Sequence, residues 1–171
     1  MCSLSRTRKY SVPGEGRKNA KIMIVGQAPG GEEDSSGRPF VGRAGKLLTR
    51  LLHYAGLSRG DVYITSVLKC FPPKNRLPKW DEVKACTPYL EEQIRMIKPK
   101  YIILLGNLAV GTLLRRKTQI GKIHGKPVLK DGIIYFPTMH PAAAVRFKKN
   151  MKIIKKDFKK FRAIFKKFNK E

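Results

Sequence analysis

The sequence predicts an α/β protein with a mostly parallel sheet covered by helices on both faces. Three observations carry this. Short apolar runs at residues 21–25, 62–68, 101–105 and 133–137 alternate with longer stretches whose apolar residues recur at helical spacing. The runs are near-continuous in apolar residues, as strands buried on both sides are. The chain has 171 residues, 42% of them hydrophobic, which suffices for one full core without disulfides or metals. A single domain spanning residues 1–171 is expected.

The elements follow in order. KIMIV (21–25) reads as the first strand. Residues 42–55 read as a helix with Leu47, Leu48, Leu51 and Leu52 on one face, closed by Gly56. VYITSVL (62–68) is the second strand, and a proline-rich loop (71–78) follows. Asp81 is the expected cap of a helix running to about Ile97, with Val83, Cys86, Leu90, Ile94 and Ile97 on its apolar face and Pro88 as a kink site. YIILL (101–105) is the third strand, residues 108–114 a short helix, and IIYFP (133–137) the fourth strand. The last helix covers about residues 151–168. Its stripe of Ile154, Phe158, Phe161, Phe165 and Phe168 predicts packing on the domain with lysines outward.

Charge narrows the partner. Lys and Arg number 37 against 12 Asp and Glu, a net charge of +25. Residues 146–171 alone hold 12 basic and 2 acidic side chains. A polyanion is the natural partner, nucleic acid before membrane, although solvated lysine-rich faces are the plain alternative. No apolar run reaches the length of a membrane span, and the N-terminus lacks the apolar core of a secretory signal. The three cysteines, Cys2, Cys70 and Cys86, are an odd count that argues against a disulfide framework and fits a reducing cytoplasm.

In a parallel sheet, ligands bind beyond the carboxyl ends of the strands. The loop after the first strand, GQAPGGEEDSSGRPFVGRAG (26–45), is glycine-rich and leads into a helix. It also carries Glu32, Glu33, Asp34 and Phe40, which a simple surface turn has little use for. It does not fit the pattern of a nucleoside-triphosphate loop. MHPAAA (139–144) places His140 just past the fourth strand, as a structural histidine or as a donor to a developing anion. KCFPPKNR (69–76) mixes Lys69, Lys74 and Arg76 with rigid prolines, which suits phosphate contact. The cysteine spacing matches no simple zinc site, and Cys86 on an apolar face can equally be a core residue.

Together these segments resemble the family 4 uracil-DNA glycosylases, the thermostable type with an iron–sulfur cluster. The resemblance spans nearly the whole chain: CSLSRTRKYSVPGEG (2–16), the 26–45 loop with GRPFVGRAG, KCFPPKNR, ACTPYLEEQI (85–94), LLGNLA (104–109) and MHPAAA. It implies a three-layer α/β/α sandwich that hydrolyses the N-glycosidic bond of deoxyuridine in DNA, without a lyase step. Phe40 matches the aromatic that stacks on the flipped uracil. His140 matches the residue that stabilises the uracil oxygen, and Glu33 the carboxylate that helps the water or the sugar cation. Gly26, Gln27 and Ala28 would line the uracil pocket, and Lys69, Lys74 and Arg76 would contact DNA.

The sequence departs from the family pattern in three places. Gln27 stands where the family often has Glu, and a neutral amide cannot be a general base. Ser66 stands where an Asn usually reads the uracil edge. A serine reaches the base only through a water or a shifted base, which leaves other deaminated bases open as substrates. Cys2, Cys70 and Cys86 match three of the four cysteines that hold a [4Fe–4S] cluster; the first would lie just before Met1. Either the natural start is upstream, another ligand completes the cluster, or none forms. The resemblance further implies uracil-containing DNA as substrate, a monomer, and a cytoplasmic, nucleoid-associated prokaryotic protein. A sliding clamp is a candidate partner for the C-terminal helix. A non-catalytic binder of damaged DNA is the alternative from another class.

Overall fold

The computed structural model describes residues 2–115 and 119–168. Its elements in chain order are β1 (Glu15–Gly16), β2 (Ile22–Gly26), α1 (Gly31–Ser36), α2 (Arg43–Tyr54), β3 (Val62–Ser66), α3 (Trp80–Ile97) and β4 (Tyr101–Leu105). They continue with α4 (Asn107–Leu114), α5 (Ile120–Ile123), β5 (Val128–Lys130), β6 (Ile133–Thr138), α6 (Pro141–Arg146) and α7 (Lys148–Phe168). The strands form one sheet in the order β1-β3-β2-β4-β6-β5. Its four central strands are parallel, and the short edge strands β1 and β5 are antiparallel to their neighbours.

Every residue of β2 and β4 is buried, because both faces of the sheet are covered. Side chains alternate between two cores. Ile22 and Ile24 of β2 join Tyr101, Ile103 and Leu105 of β4 against α2 and α7. Met23, Val25, Ile102 and Leu104 face the other way, against α3, α4 and Leu4 of the N-terminal segment. This is the expected three-layer sandwich.

The aromatic stripe of α7 docks as its spacing predicts. Ile154, Phe158 and Phe161 are fully buried and Phe165 partly so; the side chain of Phe168 lies outside the described residues. Phe161 meets Tyr101 and Phe136 edge to face at 5.9 and 5.4 Å. Burying each such side chain stabilises by about 1.5–3 kcal/mol. One charge enters with them. Asp157 is buried, accepts the Thr138 hydroxyl at 2.7 Å and lies 3.0 Å from His124 Nδ1, tying α7 to the end of β6 and the end of α5.

Some expected boundaries move. Asp81 does not cap α3. The helix begins at Trp80, and the buried Glu82 reaches back to accept the Lys79 N–H at 2.8 Å while pairing with Arg76. The third residue of the helix therefore closes its end, and Asp81 lies inside the first turn. The helix runs on through Pro88 to Ile97. The last helix starts at Lys148, three residues before the expected 151.

β2 lies between β3 and β4, so the chain connects to one side of it and then to the other. The crevice at the carboxyl ends of β2 and β4 is a topological switch point. The loops after β2, β3 and β6 converge there.

Candidate active site

The floor of the site is built by the ends of β2 and β3. Gly26 is paired with Ser66, and the ladder continues past both strands: the Val67 and Leu68 N–H groups donate to the carbonyls of Gly26 and Gln27 at 3.0 Å. The Phe40 ring lies directly on Gly26. A Cβ there would sit 2.5 Å from Phe40 Cζ, so only glycine admits the ring. Phe40 itself has φ 52°, left-handed backbone that a bulky residue adopts only when held. Arg59 holds it, donating Nη1 to the Phe40 carbonyl at 3.0 Å and Nη2 to the Pro39 carbonyl at 2.8 Å. Sequence reasoning missed Arg59. It lies 19 residues downstream in an unremarkable Ser-Arg-Gly-Asp turn, with no local signal of its task.

Glu33, in α1, organises the rest of the loop. One carboxylate oxygen accepts the N–H groups of Val41 and Gly42, each at 2.9 Å; the other accepts the Gly30 N–H at 3.0 Å. Three of its roughly four lone-pair sites thus bind backbone, and the side chain lines the pocket.

His140 stands at the end of β6 and caps α6. Its Nδ1 accepts the Ala142 N–H at 3.1 Å. Burial pushes its pKa down to about 4, against a smaller opposing pull from the Glu33 charge. The ring is therefore neutral at pH 7. With Nδ1 acting as acceptor, the proton sits on Nε2, which is left as a hydrogen-bond donor. The ring stacks beside Phe40, centroids 5.8 Å apart and 28° from parallel.

These groups enclose one pocket of about 600 Å³, lined by Gln27, Ala28, Glu33, Phe40, Ser66 and His140 among others. The structure thus brings together the residues expected to hold a base. Ser66 is 5% exposed and presents its hydroxyl near Gly26 on the pocket floor. Asn75, Arg146 and Phe147, which the sequence did not single out, also line the cavity.

The expected DNA-contacting trio does not hold together. Lys69 is buried and turned inward; its Nζ donates to Thr65 Oγ1, the Ser66 carbonyl and Gln93 Oε1, each at 2.7 Å. Burial lowers its pKa to about 7. It therefore cannot reach a phosphate, and the expectation is corrected. A residue one step past a buried strand and its two followers keeps the inward phase of the sheet, which overrode the surface reading of a lysine. Arg76 is drawn to Glu82, with Nη1 2.9 Å from Oε2. Lys74 is exposed, in a turn where it and Asn75 both have positive φ, 56° and 54°.

The three cysteines line a second cavity of about 400 Å³ on the other side of Lys69. Arg8 Nη1 donates to Cys70 Sγ at 3.1 Å. Burial pushes the Cys86 thiol up, and a hydrogen bond from the Lys69 backbone N–H opposes this. Among the described residues, no three His, Cys, Asp or Glu side chains converge closely enough to hold a single metal ion. A cubane spreads its ligands over separate corners, so three thiols around one cavity, with the Arg8 guanidinium on one of them, suit three corners of such a cluster. These are the three cysteines of the sequence.

The pocket offers a ring face, backbone and hydroxyl edges and a neutral imidazole donor, which a heterocyclic base taken out of its stack requires. On a chain of net charge +25 this places the molecule among the enzymes that act on a base within nucleic acid. Comparison with known proteins gives the family. Residues 13–169 match the model of the uracil DNA glycosylase superfamily. A type-4 uracil-DNA glycosylase of Saccharolobus solfataricus is 48% identical over 93% of this chain and 78% of its own length. That of Sulfurisphaera tokodaii is 46% identical over 95% and 78%. That of Pyrobaculum aerophilum is 47% identical over 85% and 78%. The chain belongs to the uracil-DNA glycosylase superfamily and, within it, groups with the type-4 enzymes. Among the described residues no helix is long and apolar enough to cross a membrane.

Proposed function

We infer that the protein is a DNA-repair glycosylase that hydrolyses the N-glycosidic bond of deoxyuridine in DNA, leaving an abasic site. The observation that carries the mechanism is the Ala142 N–H bond to His140 Nδ1, which leaves Nε2 as the donor in the wall of a pocket also lined by Phe40. A uridine extruded from the strand lays its base on the Phe40 ring. The bond from C1′ to the base nitrogen breaks, and its electron pair moves onto the uracil ring and its oxygen. His140 Nε2–H donates to that oxygen, stabilising the anion without having to give up its proton. The sugar becomes cation-like, and the fixed negative charge of Glu33 favours it. Water adds at C1′ and releases a proton, and the uracil anion is protonated on leaving. With three backbone N–H groups on its carboxylate, Glu33 acts as a charge and a water anchor.

No lysine serves as a Schiff-base nucleophile in this scheme, since Lys69 points away from the pocket into its own oxygen cage. The enzyme is monofunctional. Ser66 supplies one hydroxyl where a longer amide would read the uracil edge with a donor and an acceptor together. The surface around the mouth, with Lys74 and Arg146, meets the phosphates, so binding falls steeply with salt. Cys2, Cys70 and Cys86 would hold the [4Fe–4S] cluster. Its contribution would be structural, fastening the N-terminal segment to the loop that begins at Lys69.

The experiment uses labelled oligonucleotides carrying one uracil, hypoxanthine or xanthine, followed by alkaline cleavage of abasic sites. Uracil-dependent cleavage that is lost in His140→Ala supports this reading. Cleavage at the purine lesions alone makes the protein a same-fold glycosylase of other specificity. DNA binding with no cleavage of any substrate overturns the enzymatic reading. Ser66→Asn is expected to raise selectivity for uracil over the other lesions.

A further inference from the structure

A larger cavity adjoins the base pocket. It is a groove of about 1050 Å³ between α3 and α4, and it shares Gln27, Leu77 and His140 with the pocket of about 600 Å³. Its lining is mostly apolar, and at its rim stand two large hydrophobic side chains in water: Leu77, 78% exposed, and Trp80, 77% exposed. Neither packs into a core. The remaining ionic groups on its wall are Lys84 and Arg115 against the single acid Glu91. The groove therefore opens directly from the place where the extruded base sits, presents an aromatic face, and carries a net positive rim.

We propose that this groove is a subsite for the DNA strand beside the flipped uridine, and that Trp80 stacks on an adjacent unpaired base. This rests on the glycosylase reading above and adds a strand preference to it. An exposed indole is a platform for any base, because every base has a π face, whereas a paired base in duplex is already stacked. Leu77 stands on the ridge shared by the two cavities, where it separates the flipped base from its neighbour. The basic rim meets the phosphates that a strand would bring along the groove. A protein partner fits these facts less well, since the groove is continuous with the pocket that the DNA strand must enter. Uracil in single-stranded DNA is then the favoured substrate, because the neighbouring base reaches Trp80 without being unpaired.

Trp80 is the sole tryptophan of the chain, so its fluorescence reads the subsite directly. The intact protein is titrated with a single-stranded oligonucleotide carrying a tetrahydrofuran abasic analogue at the uracil position, and binding is followed independently by anisotropy of a dye on the DNA. Quenching of the indole emission in step with binding is expected. Unchanged emission at saturation overturns the proposal. In kinetics, Trp80→Ala is expected to raise KM for single-stranded uracil DNA roughly 5- to 150-fold, the range of one lost base stack, with Trp80→Phe recovering most of it. A KM within twofold of the native value in Trp80→Ala also overturns it. Trp80 is exposed, so its removal leaves both cores intact, and an unchanged Tm checks this. Absence of uracil excision in the native protein counts against the glycosylase reading, while the fluorescence titration still decides the groove.

Discussion

Replacing Glu33 by glutamine separates two roles that one carboxylate can play. The charge now accepts three backbone N–H groups, from Gly30, Val41 and Gly42, at 2.9–3.0 Å. In Glu33→Gln the amide oxygen can keep the Val41 and Gly42 bonds, each weakened by loss of charge. The amide nitrogen then faces the Gly30 N–H, donor against donor. Losing one charge-assisted bond costs about 1.5–3 kcal/mol, and weakening two others adds to it. Glu33 is partly exposed, so solvent relieves part of this and a net loss of about 1–3 kcal/mol is expected. For a domain of this size that lowers Tm by about 2–12 °C. Scanning calorimetry measures the shift, and a glycosylase assay on the same samples measures kcat and KM. Both should worsen together, because the loop that presents Phe40 loosens. An unchanged Tm with excision abolished would refute the reasoning and assign Glu33 to the chemistry alone.

Other perturbations test neighbouring parts of the argument. Phe40→Ala should slow uracil-DNA processing by roughly 5- to 150-fold while leaving duplex affinity far less changed; equal losses in a binding assay and an excision assay would remove its stacking role. Asp157→Ala strips the Thr138 hydroxyl and His124 of a buried partner and should cost about 1–3 kcal/mol, read as a lowered urea midpoint; an unchanged midpoint would show that α7 is held by its apolar stripe alone. His140 titrates near 4 in the folded protein and near 6.5 when unfolded, so the unfolded chain binds more protons between those values. Its contribution to stability is complete above pH 6.5 and is lost as the pH falls toward 4. The native Tm should therefore decline across that window more steeply than that of His140→Gln, and parallel curves would contradict the neutral imidazole.

Much of this was legible in the chain because both periods were strong. The strand at residues 101–105 is buried at every position, as a continuous apolar run should be, and Ile154, Phe158 and Phe161 enter the core at their helical spacing. The edge strands β1 and β5 were not legible, being two and three residues long with no run to detect. In the site, Phe40 and His140 announced themselves by their place in loops beyond strand ends. Lys69 misled, since a lysine beside prolines reads as surface until its cage of Thr65, Ser66 and Gln93 is seen. That cage joins residues 24 apart in the chain, and Arg59 reaches Phe40 across 19. Contacts of that range depend on the finished sheet, and no local pattern encodes them.

The clamp of Arg59 on the Pro39 and Phe40 carbonyls has a thermodynamic consequence for damage recognition. The left-handed turn at Phe40 and the fit of its ring on Gly26 are completed during folding, before any DNA arrives. Their strain and ordering entropy are charged to the stability of the free protein. On the proposed mechanism, the stacking energy that an extruded uridine gains on that ring is not drawn on to organise a loop. It remains available to offset the loss of stacking and pairing in the DNA.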